Sequence, residues 1–418
     1  MLQTAVAALL VIAARCAATT YTWSPTLLAT ARGLVALGYA PLLPAYTELL
    51  READALACGP TPAPVTAKNF TPPTGTRHTY VSAGRYDWPC TWQPTPPQVC
   101  APAPPGPPCN ASTGLPWAER DGCPNNAAVA AQDGPRWEAL STYVRTLGLA
   151  YYFSQNESYA ALGTGAARAW FLGADTAMLP NLAYAQYVPG KPNTYSTGMI
   201  DFSYLLPELL DALALLSASP SWTAVDAAGM QQWAADLLHW QLSSTQGREE
   251  RNMPNNHGTW HDAQALALAL FTGNASAARA VAVEAAALRL DAQIAPNGSL
   301  PQELLRADAL SYERFDIEAL QALAQLAGAA GVDLWGHATP AGATLASTLT
   351  FLVPYALQGV PWPFSQAAPF DWSTLWTLFR RAALATSNAT FANWGGALPG
   401  NFSGPTEADN LIWCWACA

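Results

Sequence analysis

From residue 135 onward, apolar residues recur at three- and four-residue spacing, the mark of amphipathic helices. The pattern predicts helices over 136–153, 157–172, 199–216, 224–243, 259–271, 275–293, 311–329, 342–357 and 371–386. Short breakers separate them: Ser154–Asn156, the Pro–Gly stretch 189–198, Ser217–Ser221, Gly273–Asn274 and Pro296–Pro301. Strand-like alternation is scarce. Helix pairs joined by short turns imply an all-α stack, either a solenoid or a closed ring of hairpins. No repeat of fixed period runs through the chain, so the expected architecture is an (α/α) toroid of antiparallel helical hairpins, an incomplete barrel.

Two segments depart from this pattern. Residues 92–115 (WQPTPPQVCAPAPPGPPCNASTGL) are Pro-rich and read as a loop inserted into the domain, not as a linker between folding units. Residues 1–18 place an apolar stretch from Ala5 to Ala14 ahead of small residues, as a secretory signal does, and are too short to span a bilayer. The expectation is a signal peptide followed by one catalytic domain over 19–418. Seven N-x-[S/T] sequons, at Asn69, Asn110, Asn156, Asn274, Asn297, Asn388 and Asn401, agree with secretion. So do Cys90, Cys100, Cys109 and Cys123, which crowd the Pro-rich segment as a disulfide-stapled loop would. Removing the signal leaves an odd number of cysteines, so one is free or pairs between chains. Cys414 and Cys417 near the C-terminus read as a structural pair, because no helix follows them as in a redox motif.

Composition narrows the function. Half the residues are hydrophobic and 11% are charged, which suits a packed core. The net charge is −10 with only Lys68 and Lys191 as lysines, so there is no basic stripe for nucleic acid. Past the signal no apolar run reaches membrane-spanning length, so no membrane partner is expected.

Polar chemistry gathers in three places. The first is NNHGTWH, 255–261, with two of the five histidines four residues apart. On a helix His257 and His261 face one way, as zinc ligands do, but the protease signature needs Glu where Gly258 sits and no third ligand stands at a standard spacing. Asn255 or Asn256 could cap the helix, which accounts for neither His. The second is LPQELLRADALSYERFDIEAL, 300–320, where carboxylates surround Arg306 and Tyr312, as on a solvated helix start. The third is RHTYVSAGRYDWP, 77–89, a non-helical stretch interleaving aromatic and basic residues.

RHTYVSAGRYDWP (77–89), GLPWAERDG (114–122), YAALGTGAARAWFL (159–172), LPNLAYAQYVPG (179–190), NNHGTWHD (255–262), LRLDAQIAPNGSLPQELLRADALSY (288–312) and GVDLW (331–335) resemble, in this order, the blocks of the alginate-lyase-domain family of polysaccharide lyases. The resemblance runs from about residue 75 to 360 and implies a secreted helical toroid that cleaves uronic-acid polysaccharides by β-elimination. It further implies that Asn256 and His257 hold the substrate carboxylate, that Arg306 is the active-site arginine and that Tyr312 is the catalytic tyrosine. Arg77, His78, Tyr80, Trp88, Tyr184, Gln186, Trp260 and His261, in or beside these blocks, are the expected substrate-binding residues. The chain departs from the family at Ser311, where His is frequent, and at His261, where Tyr is common; these bear on substrate preference and on which residue is the base.

The residue types suit the chemistry. In a 4-linked uronan the C5 proton is α to a carboxylate and is very weakly acidic while that group keeps its full charge. Hydrogen bonds and positive charge from Asn256, His257 and Arg306 would spread the developing charge. A tyrosine beside Arg306 or a protonated His257 is expected to ionise below its usual pKa of about 10, letting Tyr312 take the C5 proton and return one to O4. His257 as base is the alternative. No cofactor or metal is required. For a polyanionic partner, Arg77, Lys191, Arg248, Arg251, Arg306 and Arg314 would have to line the cleft. The rival readings are a glycoside hydrolase using Glu303 and Asp262 as acid and base, and a binding protein without activity.

Overall fold

The computed structural model describes residues 19–95, 100–191, 197–399 and 406–414. Helices α1 (Pro25–Ala36) and α2 (Leu43–Cys58) open the chain. The region 59–133 is largely irregular and holds β1 (Val81–Ala83), β2 (Asp87–Trp88), β3 (Ala118–Glu119) and the short α3 (Asn126–Ala130). Then come α4 (Gly134–Ser154) and α5 (Glu157–Phe171), strand β4 (Tyr184–Tyr187), α6 (Leu205–Leu216), α7 (Ala224–Ser243), α8 (Thr245–Arg251), α9 (Asn256–Phe271) and α10 (Ala275–Ala285). The last group is α11 (Pro301–Leu304), α12 (Ala309–Ala329), α13 (Leu345–Leu357), α14 (Trp376–Thr386), α15 (Ala389–Gly396) and α16 (Thr406–Ile412).

The expected all-α toroid of hairpins is what forms. Helices α4, α6, α9 and α12 pack successively on one another as an inner layer, while α5, α7 and α10 back them. The inner helices are buried nearly all round, which is why leucine and alanine crowd every face of α6, α9 and α12. One apolar core runs from Trp23 to Cys414, with Trp137 stacked 3.7 Å from Phe202 near its centre. Arg145 on α4 bonds Glu208 on α6 and Asp409 on α16, so an ion network joins the inner layer to the last helix.

Predicted helix bounds hold to within a few residues where the chain stays α-helical. The stretch 199–216 instead begins with a 3₁₀ turn (Thr197–Asp201), and 371–386 with another (Trp372–Leu375). After α10 the backbone widens into a π turn, Ala286–Asp291, which carries Arg289 into the interior. The described part of the Pro-rich segment is a loop, stapled by Cys90–Cys109 and Cys100–Cys123. Cys58 is free and exposed, Cys414 is disulfide-bonded, and Cys16, Cys417, residues 1–18 and Asn401 lie outside the described residues.

NNHGTWH opens α9. Asn255 is the cap: its side chain accepts from the His257 backbone N–H. Gly258 has no alternative, because a Cβ there would collide with the Met253 carbonyl oxygen and the Arg289 guanidinium. His261 is fully buried and its Nδ1 lies 3.1 Å from Asp262. Asp262, also fully buried, takes Arg289 at 2.9 Å and Arg251 at 3.1 Å. Burial alone would raise the Asp262 pKa; the His261 hydrogen bond and the two guanidinium charges outweigh it and hold the group at about 2. Asp262 is thus an anchor tying α9 to α8 and the π turn.

Asp262→Ala would leave Arg289 buried without its counter-charge, and an urea unfolding curve should show a loss of about 3–5 kcal/mol. Because the folded pKa lies below the unfolded one, the stability that Asp262 supplies is present above about pH 4. That contribution should disappear as the pH falls through about 2.

Candidate active site

A cleft of about 710 Å³ opens at the amino ends of the inner helices. Its lining includes Gly134, Pro135 and Glu138 of α4, Leu205 of α6, Asn256 and His257 of α9, and Ser311, Tyr312, Arg314 and Phe315 of α12. The rim opposite comes from Ser82, Arg85, Tyr86 and Asp87 around the β1–β2 turn, with Glu119, Gln186 and Asp201.

The four residues expected to be catalytic all meet here. Arg306 is clamped by Asp121, with Nε 3.0 Å from Oδ2 and Nη2 2.7 Å from Oδ1. Asp121 also accepts from the Ala307 backbone, and Arg306 keeps the pKa of Asp121 low although burial opposes this. The guanidinium carbon stands 3.6 Å from the centre of the Tyr312 ring. Asp121 belongs to the disulfide-stapled segment: it lies two residues before Cys123, and its carbonyl accepts from Ala101. The Pro/Cys-rich loop therefore helps position Arg306.

Tyr312 corrects an expectation. Burial pushes its pKa well above 10, and a hydrogen bond with Tyr86 adds to that, so the pull of Arg306 is overridden. The resting phenol keeps its proton. His257 moves the other way from a simple buried imidazole. Burial favours its neutral form, but the Glu250 carboxylate, 2.9 Å from Nδ1, together with Glu303 raises its pKa above 6.5. Glu250 is itself sealed from solvent and fixes the imidazole orientation.

Asn256 lies directly beside His257, almost wholly buried. Its backbone N–H donates to Glu303 at 2.8 Å and its side-chain amide donates to both Glu303 oxygens at 2.9 and 3.0 Å. Behind it Asp316, Glu303 and Glu313 form a buried acidic cluster. Burial raises all three, Glu313 to about 9, and the Glu303 carboxylate pushes Asp316 and Glu313 further up, while the Asn256 hydrogen bonds, Arg306 and His257 pull Glu303 back.

Of the expected substrate-binding residues, Gln186 alone lines the cleft. Its φ of 48° is in the left-handed region, held there by Ser82 on its N–H and Asp201 on its side chain at 2.9 Å. Tyr80, Trp260 and His261 are fully buried and cannot touch a substrate. Tyr80 instead donates to Asp201 at 3.0 Å, Trp260 packs against Phe315 in the core, and His261 serves Asp262. Arg77, His78, Trp88 and Tyr184 stand outside the cleft lining. Arg77 is exposed, His78 faces the Ala177 carbonyl, Trp88 stacks on Trp92 while donating to Cys123, and Tyr184 packs near Tyr187.

The expected cationic lining reduces to Arg306 and Arg314, joined by Arg85, which the sequence reading did not single out. Arg251 pairs with Asp262 and Glu284, Arg248 with the Ser243 carbonyl, Lys191 with Asp87, and Lys68 is buried on Asp133. Tyr86, Asp121, Asp201 and Glu250 were missed as well. The first two fall inside the quoted blocks RHTYVSAGRYDWP and GLPWAERDG, which was the available signal. The hydrolase pair fails on geometry: Asp262 is consumed by two arginines, and Glu303 lies beneath Asn256.

The family model described as alginate lyase matches residues 64–362. The crystal structure of an alginate lyase from Bacteroides ovatus is 32% identical, with a TM-score of 0.83, covering 94% of this chain and 99% of that one. Alginate lyase A1-III from Sphingomonas species A1 shares the fold at 16% identity and a TM-score of 0.50, over 88% and 94% of the two chains. A histidine-to-alanine form of A1-III complexed with tetrasaccharide does so at 15% identity and a TM-score of 0.57, over 85% and 86%. No curated protein sequence matches the chain. Fold and cleft together are those of an (α/α)-toroid polysaccharide lyase. The chain belongs to the alginate lyase family.

If Asp121 is what holds Arg306 in register, Asp121→Ala removes a bidentate charge-assisted contact of about 1.5–3 kcal/mol. The expected result is a fall of at least about tenfold in kcat/KM on a uronan at unchanged helical circular dichroism.

Proposed function

We propose that the protein is a secreted glycoprotein that cleaves a 4-linked uronic-acid polysaccharide, alginate (polymannuronate) or glucuronan, by β-elimination at this cleft. One observation carries the reading: Arg306, clamped by Asp121, stands 3.6 Å over the Tyr312 ring in the same cleft as the Asn256–His257 pair. The relatives named above are alginate lyases, which favours alginate. Secretion is supported by the disulfides and by the exposure of all six described sequon asparagines.

In this mechanism the carboxylate of the sugar that loses its C5 proton sits against Asn256 and His257, with Arg306 beside it. His257, made more basic by Glu250, presents Nε2–H as a charged donor and lowers the cost of the enolate-like charge. Asn256 can turn its amide N–H toward the same carboxylate by rotating the side chain away from Glu303, which its backbone N–H continues to hold. Tyr312 performs the proton transfers. Its phenolate, a minor species stabilised by Arg306, takes the C5 proton; the resulting phenol gives a proton to O4 as the C4–O4 bond breaks. The products are a chain with an unsaturated non-reducing end and a new reducing end.

Tyr312→Phe should abolish the rise in ultraviolet absorbance from a uronan while leaving the thermal midpoint near wild type; retained elimination would defeat the assignment. Since burial raises the Tyr312 pKa, wild-type kcat should climb with pH on the alkaline side up to at least about 10. A second profile isolates His257. Its raised pKa extends the imidazolium to higher pH than in a free histidine, so KM should worsen as the pH rises through that pKa, and Glu250→Gln should move the onset to lower pH. Intact-mass measurement before and after deglycosylation checks secretion, expecting loss of Met1 and of glycan mass.

A further inference from the structure

A second cavity, of about 350 Å³, lies between α1, α12 and α14, away from the catalytic residues. It is lined by Thr22, Gln321, Gln325, Trp335, Arg381 and Trp413, over an apolar floor that includes Leu27 and Leu384. On α12, Gln321 is nine positions past Tyr312, roughly 14 Å further along the axis. Among the described lining residues of this cavity Arg381 is the one charged group, whereas the catalytic cleft mixes five carboxylates, Asp87, Glu119, Glu138, Asp201 and Asp308, with Arg85, Arg306, Arg314 and His257.

Three buried polar atoms here lack a hydrogen-bond partner. Arg381 is 9% exposed with Nε unpaired, and its Nη2 comes no closer than 3.9 Å to Glu208. Gln321, 1% exposed, spends Nε2 on the Leu378 carbonyl at 3.2 Å, which leaves Oε1 without a donor. Thr22, 3% exposed, has its hydroxyl unbonded. Buried polar atoms without partners cost about 1–3 kcal/mol each, so three around one cavity mark a place that a ligand completes. Arg381 lies 4.6 Å over Trp413, which fixes the guanidinium, while half-buried Trp335 offers an indole at the wall. A guanidinium, an acceptor oxygen and a hydroxyl beside an indole match a sugar that carries a carboxylate.

We propose that this cavity is a second uronate-binding site, separate from the catalytic cleft, that holds an acidic saccharide end with its carboxylate on Arg381, a hydroxyl on Gln321 and its ring against Trp335. The choice of a uronate rests on the function proposed above. Such a site tethers product or polymer to the enzyme without touching the reacting bond.

The test is calorimetric titration of the full-length Tyr312→Phe protein with saturated trimannuronate. Two sites are expected, falling to one when Arg381→Gln is added. Trp335→Ala, at a half-exposed position, should weaken the second site about tenfold and leave elimination of short oligouronates unchanged. Cellotriose, which has no carboxylate, should bind neither site. A stoichiometry of one, second-site binding indifferent to both substitutions, or cellotriose bound as well as the uronate would each overturn the assignment. Failure of the proposed reaction reads out separately, as absence of unsaturated product from wild type.

Discussion

All four inner helices start at the same rim, and that shared direction is the constraint on which the site depends. An α-helix carries roughly half a positive charge at its amino end, from N–H groups that nothing within the helix accepts. Helices α4, α6, α9 and α12 contribute Gly134, Leu205, Asn256 and Ser311 to one cleft, so four such ends converge there. A chain of net charge −10 thereby gains a local field suited to an anion without many lysines. Both lysines and most arginines are absorbed in structural pairs, and only Arg85, Arg306 and Arg314 remain on the lining.

That field is useful only if the side chains on it are held still. Two buried carboxylates do this on α9. Asp262 grips Arg251 and Arg289 from the far side of the helix, and Glu250 fixes His257 from the near side. The π turn after α10 brings Arg289 inward, and Gly258 leaves room for its guanidinium. The two histidines of NNHGTWH, which share a helical spacing, are thus divided in role. His257 faces the cleft, whereas His261 is a core donor.

The helical spacing made the toroid legible, because burial of helix after helix leaves a strong three-to-four periodicity. Helices α1 and α2 were not read: they adjoin the apolar stretch Ala5 to Ala14, and Pro41 and Pro44 break the period between them. Residue type and order located Asn256, His257, Arg306 and Tyr312. What the chain could not show was which neighbours lie across space. Asp121 is 185 positions from Arg306, and Glu250 reaches His257 over the turn between two helices. Aromatic residues in the family blocks looked like sugar platforms, yet Tyr80 and Trp260 are core residues, since an aromatic near a site usually packs the wall that supports it. The lowered pKa expected for Tyr312 failed for the same reason. Adjacency to Arg306 is visible in sequence and depth of burial is not, and here burial is the stronger effect.

The protonation pattern gives the site its chemical logic. Asp316, Glu303 and Glu313, three carboxyls that would otherwise oppose an anionic substrate, are all raised by burial, and Asp316 and Glu313 are raised further by Glu303. His257 is driven toward its charged form by Glu250, with a smaller contribution from Glu303. Tyr312 keeps its proton until catalysis. Each of these shifts subtracts negative charge from the place where a uronate carboxylate must sit and where further negative charge develops as C5 is deprotonated. The acidic residues behind the helix do not contradict an anionic substrate. Among them Glu303 supplies the buried acceptor oxygens that orient Asn256, which a layer of apolar side chains could not do.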